Sequence, residues 1–230
     1  MGESTSQHRA IRSFVRRAGR ITPAQERALA ALWPQYGLEG GSDQLDFQRI
    51  YGRLAPLVLE IGFGNGEQIL ARSIRQPECN FLGIEVHDPG VGHLLLAAQR
   101  SAVTNLRVIR QDAVEVLQSQ IPDASLDEVQ ILFPDPWPKK RHHKRRLIQA
   151  SFVELLARRL RPGGGLHLAT DWEPYAEHMR EVLAACPGFT ECSADSVQTA
   201  QLPERAATRF ERRGTRLGHR VQDLLYRRVG

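Results

Sequence analysis

Apolar residues fall in two patterns along the chain. Short unbroken runs, closed by glycine or an acid, occur at 57–64 (LVLEIGFG), 80–86 (NFLGIEV), 106–112 (LRVIRQD), 126–133 (LDEVQILF) and 165–171 (GLHLATD). Runs of this length predict strands buried on both faces of a parallel sheet. Between them, apolar positions recur at helical spacing. Ile148, Phe152, Leu155, Leu156 and Leu160 form one stripe, with Gln149, Glu154, Arg158 and Arg159 on the other face. The RPGGG run at 161–165 predicts the end of that helix. Tyr175, Met179, Val182, Leu183 and Cys186 form a second stripe, a core face ended by Pro187 and Gly188. Further helices are predicted over 65–76 and 89–102. Thr22 and Pro23 predict a capped helix that ends before Pro34, followed by a Gly-rich linker at 37–42. The VQDLLYRRV segment at 221–229 predicts a last strand.

Strands alternating with helices predict a Rossmann-like α/β fold, a mostly parallel, doubly wound sheet with helices on both faces. Three regions are expected: a basic, flexible segment over 1–20, a short helix and linker over 21–55 packed on the core, and the main domain over 56–230. No repeats interrupt them.

Charge sharpens the picture. Net charge is +5. Residues 1–30 hold six Arg against two Glu, residues 139–146 hold six Lys or Arg and no acid, and residues 201–230 hold eight Arg against three acids. The rest of the chain is therefore acidic. All three lysines, Lys139, Lys140 and Lys144, lie in the middle run. One such run reads as a solvated face; three beside an acidic body point to a polyanion such as nucleic acid. No stretch approaches ~18 consecutive apolar residues, so no membrane-spanning helix is expected. The first residues lack the apolar stretch of a secretory signal. Cys79, Cys186 and Cys192 are widely spaced and odd in number, as expected of reduced thiols in a cytoplasmic protein.

In sheets of this kind, ligands bind beyond the carboxyl ends of the strands. The first of the five runs ends in Glu60, Gly62, Gly64 and Gly66. Glycines there allow tight turning and close approach to a ligand. A dinucleotide fingerprint needs glycine at position 67, which is Glu67, so pyrophosphate binding is disfavoured. Glu60 would repel a diphosphate and could accept from an ammonium group. Glu85 stands where an acid can accept from two ribose hydroxyls, and Asp112 where one can accept from an adenine amino group. Each acid alone would most often be a solvated strand end or a helix cap. Together with the glycines they point to an adenosyl ligand with a cationic tail.

The fourth run leads into Phe133-Pro-Asp-Pro-Trp-Pro138. Asp135, held between two prolines, is rigidly placed, and Trp137 offers a flat face for a base. An ordinary proline-rich turn is the alternative. The cations that follow would hold phosphates beside this loop. Adjacent His142 and His143 in a cationic run make a poor metal site, so phosphate contact or exposure is expected and no metal.

The motifs LEIGFGNGE, GIEVHDPGV, RQDAVEVL, ILFPDPWPKKRHHKRRL, TDWEPYAEHM and TRFERRGTRLGH resemble those of the bacterial tRNA (guanine-N7-)-methyltransferase family, in order from residue 57 to 219. The proline-rich block with its basic tail is the discriminating piece. The resemblance implies a class I methyltransferase that moves a methyl group from S-adenosylmethionine to guanine N7 at position 46, in the variable loop of tRNA. It implies donor binding by Glu60, Glu85 and Asp112 and an active-site carboxylate in Asp135. It implies substrate contacts from Lys139, Asp171 and the segment Thr208, Arg209, Phe210 and Glu211, and RNA contacts from Arg141, His142, His143, Lys144, Arg145 and Arg146. Arg209 is a conservative variant within that segment. A monomer without an obligate protein partner is expected. Rival readings are a nicotinamide dehydrogenase, disfavoured by Glu67, and a non-catalytic RNA-binding module, which has no need of acids at three strand ends; a methyltransferase acting on another RNA is a third.

Overall fold

A computed structural model describes residues 20–192 and 220–230. The basic N-terminal segment up to residue 19 and the Thr208 to Glu211 segment lie outside the described residues.

Eight strands form one sheet. In chain order they are β1 (Gly37–Leu38), β2 (Leu57–Ile61), β3 (Asn80–Ile84), β4 (Leu106–Ile109), β5 (Leu126–Leu132), β6 (Leu160–Thr170), β7 (Phe189–Glu191) and β8 (Gln222–Arg228). The helices are α1 (Pro23–Tyr36), α2 (Phe47–Tyr51), α3 (Glu67–Arg75), α4 (Asp88–Arg100), α5 (Ala113–Ser119), α6 (Ala150–Arg159) and α7 (Glu173–Ala184). A 3-10 helix spans Lys140–Arg145. The strand order is β1-β4-β3-β2-β5-β6-β8-β7. Pairing is parallel from β1 through β6, and β8 is antiparallel to both β6 and β7. The order reverses at β2, which has β3 on one side and β5 on the other, and that is where such sheets open a ligand crevice.

Strand alternation divides the interior into two cores. Leu57, Leu59 and Ile61 of β2 face a core closed by α5, α6 and α7. Val58 faces a second core closed by α1, α3 and α4. Both faces are apolar, which is why these strands read as unbroken hydrophobic runs.

Four short elements carry no signal in the sequence pattern. The two-residue β1 lies in the predicted linker, and α2, α5 and β7 are too short to show a period. Two boundaries also differ. Helix α1 does not stop before Pro34 but runs on to Tyr36. Ala28, Leu32 and Tyr36 lie on one buried stripe, so burial of the Tyr36 side chain outweighs the hydrogen bond Pro34 removes. Strand β6 does not begin at Gly165 but at Leu160, which pairs with Leu126. The intervening glycines form a bulge with Gly163 at φ 79, rather than a loop between helix and strand.

Helix α1 docks on α4 at close range. Its N-terminus carries a capping box between Thr22 and Gln25. The Gln25 side chain then donates to the Pro89 carbonyl at 3.0 Å. A Cβ at Gly92 would stand 2.8 Å from Gln25 Cβ, so glycine permits the approach.

Candidate active site

The strand ends bring the predicted acids into one row. Following the strand order, Asp112 lies beyond β4, Glu85 beyond β3, Glu60 in β2 ahead of the glycine turn, Asp135 beyond β5 and Asp171 beyond β6. Phe133 N–H donates to the Ala169 carbonyl at 2.8 Å, holding the ends of β5 and β6 side by side.

The glycine turn is built by the backbone. Gly62, Gly64 and Gly66 all have positive φ, at 72°, 57° and 76°, where a side chain is strained. A Cβ at Gly62 or Gly64 would meet nothing within 4 Å, so the turn presents bare backbone to open space. Gly90, which the sequence reading does not single out, seats the turn from below. A Cβ there would stand 2.1 Å from the Gly64 carbonyl oxygen. The PGVG string opening α4 was the available signal.

Glu85 supports the same turn. One carboxylate oxygen accepts from Gly64 N–H at 2.8 Å, the other from Val86 N–H at 2.7 Å and His87 N–H at 3.1 Å. A carboxylate offers about four acceptor positions, so capacity remains for a hydroxyl. Asp112 caps α5, one oxygen accepting from Val114 N–H at 2.8 Å. Its cap role and a ligand role are compatible through the second oxygen.

Glu60 is different. It is 4% exposed, and its Oε2 is buried with no hydrogen-bond partner. The nearest cation is already engaged, because Arg72 forks onto Glu128 at 2.7 and 2.9 Å. Burial pushes the Glu60 carboxyl up to about 8; Arg72 pulls it down, while Glu128 and Glu85 push it further up. A buried carboxyl with an unsatisfied oxygen, beside a bare glycine turn, fits a ligand bearing an ammonium group. The donor set as a whole, carboxylates at three adjacent strand ends, fits an adenosyl group with such a tail.

The loop after β5 is strained on both sides of Asp135. Phe133 and Trp137 have φ of 54° and 46°, left-handed values for bulky residues. Such strain persists only where the surroundings over-determine it, and it clusters at functional sites. Asp135 is exposed and Asp171 half-buried. Beside Asp171 opens a cavity of about 280 Å³, lined by Trp172, Glu173, Pro174 and Arg220.

Basic residues continue directly from this loop. Lys139, Lys140, Arg141, Lys144 and Arg145 are exposed, and His142 and His143 half-buried. The His142 ring is held below the ordinary histidine range, by desolvation first and then by Arg141, Arg145, Lys139 and Lys144. Two expectations change here. Trp137 has one face taken: the Arg145 guanidinium carbon sits 5.0 Å from its ring centroid, and the His142 ring stands at right angles to it at 5.8 Å. Arg146 is not an exposed RNA contact either. It is 4% exposed and turned inward, donating to the Pro136 carbonyl at 3.0 Å. Among the described residues, no group of three or more His, Cys, Asp or Glu could hold a metal ion.

Known proteins resemble this chain in sequence and in fold. Residues 54–224 match the family described as "Putative methyltransferase". A tRNA (guanine-N(7)-)-methyltransferase of Alkalilimnicola ehrlichii is 55% identical over 96% of this chain and 93% of its own length. That of Nitrosococcus oceani is 54% identical over 99% of this chain and 94% of its own length. Among solved structures, the 16S rRNA methyltransferase KamB is 15% identical, with a TM-score of 0.56 over 82% of this chain and 95% of its own. That likeness bears on the fold, which is that of a class I S-adenosylmethionine-dependent methyltransferase. By sequence the chain belongs to the tRNA (guanine-N(7)-)-methyltransferase family.

Proposed function

We infer that this protein methylates guanine N7 in tRNA, at position 46 of the variable loop, with S-adenosylmethionine as donor. The observation that carries this reading is the direct run from the strained Asp135 loop into an exposed basic 3-10 helix, beside the row of acids at the strand ends.

When bound, the donor supplies a sulfonium methyl carbon. Glu60 would accept from its ammonium group, Glu85 from a ribose hydroxyl and Asp112 from the adenine amino group, over the bare turn at Gly62, Gly64 and Gly66. N7 of guanine has a free lone pair, so no proton must leave before attack. The protein's task is alignment rather than general-base catalysis. Asp135 accepts from guanine N1–H and the N2 amino group, a donor pair that marks guanine. Lys139, Asp171 and the Thr208 to Glu211 segment hold the nucleoside. The exposed cations from Lys139 to Arg145 hold the surrounding phosphates. A stacked base cannot reach such a pocket, so it is extracted at a cost of a few kcal/mol. The protein works as a monomer in the cytoplasm, with no obligate protein partner.

Methyl transfer from labelled donor to unmodified tRNA transcripts tests the reading. Nucleoside analysis should return 7-methylguanosine, and size-exclusion chromatography a species of 25.9 kDa. Another methylated nucleoside, or no label despite donor binding, would overturn the substrate assignment.

A further inference from the structure

Arg146 closes the basic run, yet it is buried and faces the interior. Its Nε donates to the Pro136 carbonyl at 3.0 Å. Its Nη2 lies 3.1 Å from His143 Nε2, and since arginine has no acceptor, that nitrogen receives the bond. Its guanidinium carbon lies over the Tyr175 ring, 4.9 Å from the ring centroid. Tyr175 is itself fixed, fully buried in α7, its hydroxyl accepting from Ile148 N–H at 3.3 Å. Gln149 adds a bond to the His143 carbonyl at 3.0 Å. The far side of the Asp135 loop is held by the Phe133 N–H bond to Ala169. The loop thus hangs between two anchors. One is the sheet; the other is the guanidinium that grips the carbonyl next after Asp135.

We propose that Arg146 is a positioning residue for this reaction: braced on Tyr175, it holds the Pro136 carbonyl and so sets where the Asp135 carboxylate stands, and it makes no phosphate contact. Two facts favour this over a role in RNA binding. A side chain 4% exposed has no surface left for a phosphate. The loop it grips includes left-handed Trp137, a conformation that a non-glycine residue leaves once its restraint is gone. Lysine replaces it poorly, because a single ammonium does not reproduce the fork that reaches the Pro136 carbonyl and the His143 imidazole from over the Tyr175 ring. The proposal rests on the Asp135 role inferred above.

The test is a kinetic split in the full-length protein with Arg146→Met, Arg146→Lys and Tyr175→Leu. With tRNA and donor saturating, kcat should fall by about tenfold to a hundredfold in Arg146→Met, the cost of moving an aligned group by roughly 1 Å. The dissociation constant for tRNA, and its dependence on salt, should stay at wild-type values. Arg146→Lys should recover only part of the loss. Tyr175→Leu should reproduce it, and the double variant Arg146→Met with Tyr175→Leu should lose no more than either alone, since the two act as one unit. If Arg146→Met proves unfolded by its melting profile, the same split is read from Arg146→Lys, which keeps the charge. A salt slope smaller by about 0.7–0.9, with kcat intact, would make Arg146 a phosphate contact and overturn the proposal. Asp135→Asn is run alongside. Wild-type turnover in that variant would remove the underlying reading; loss there with wild-type kcat in Arg146→Met would remove this proposal alone.

Discussion

Dry surroundings push the Glu60 carboxyl above its ordinary range, and Arg72, which pulls it down, also serves Glu128. Desolvation leads the shift to about 8, and the fork of Arg72 on Glu128 leaves little attraction to spare. The folded value lies above the unfolded value of 4.5, so the folded chain binds more protons between the two. Stability from this group is complete at low pH and is lost as pH rises toward 8 and beyond. Melting temperature measured from pH 5 to 9 should therefore fall less in Glu60→Gln than in wild type. Pairing with an ammonium favours the carboxylate, so donor binding at neutral pH should release a proton. Calorimetry in two buffers of different ionisation heat reads it directly; no buffer dependence, or the same dependence in Glu60→Gln, would contradict the assignment. Gly90 gives a steric counterpart. Gly90→Ala places a methyl 2.1 Å from the Gly64 carbonyl, so the turn must shift. We expect about 1–3 kcal/mol lost in stability and weaker donor binding, seen by thermal melts with and without donor. The acids at this scale were legible because charge at the end of an apolar run stands out. Gly90 and Arg146 were not, because contact distance and burial are tertiary facts: a cation inside a basic run looks like its neighbours until the chain folds over it.

At the scale of elements, the helix Lys140–Arg145 would, on the proposed function, join the chemistry to the RNA. It follows the strained loop without a spacer, and Arg145 and His142 fold back onto Trp137. Each exposed cation that meets a phosphate steepens the salt dependence of binding, by about 0.7–0.9 in log–log slope. Lys140→Ala and Arg141→Ala should each reduce the slope by that amount. His142→Gln should leave it unchanged at neutral pH, because desolvation, and then the neighbouring cations, hold its ring below the ordinary histidine range. Filter binding of tRNA across a salt series separates them, and a slope change in His142→Gln would contradict that expectation. The same scale shows where periodicity suffices as a guide and where it does not. Strands β2, β3, β4 and β5 are buried on both faces, so composition alone marks them. Helices α6 and α7 show apolar stripes, although Ile148 precedes α6, Leu160 belongs to β6 and Cys186 follows α7. Helix α5 has seven residues, about two turns, too few for a period to emerge. Pro34 and the RPGGG run are breakers by local rules, yet burial of Tyr36 and pairing of Leu160 with Leu126 carried α1 and β6 through them.

For the whole molecule, the sheet serves as a ruler. Parallel strands about 4.8 Å apart set the spacing of the row from Asp112 to Asp171. The order reversal at β2 puts the glycine turn in the middle of that row. The acids proposed to hold the donor thus lie toward β4 and those proposed to hold the base toward β6, with Glu60 and Asp135 on neighbouring strands between them. This layout makes the reaction one of alignment, with the guanine N7 lone pair itself as nucleophile. The most direct test replaces that single atom. A tRNA carrying 7-deazaguanine at the variable-loop position keeps the N1–H and N2 amino donors and lacks the lone pair. The account predicts that it binds as tightly as unmodified tRNA and accepts no methyl group from labelled donor. Methyl transfer to that position at a normal rate would contradict it.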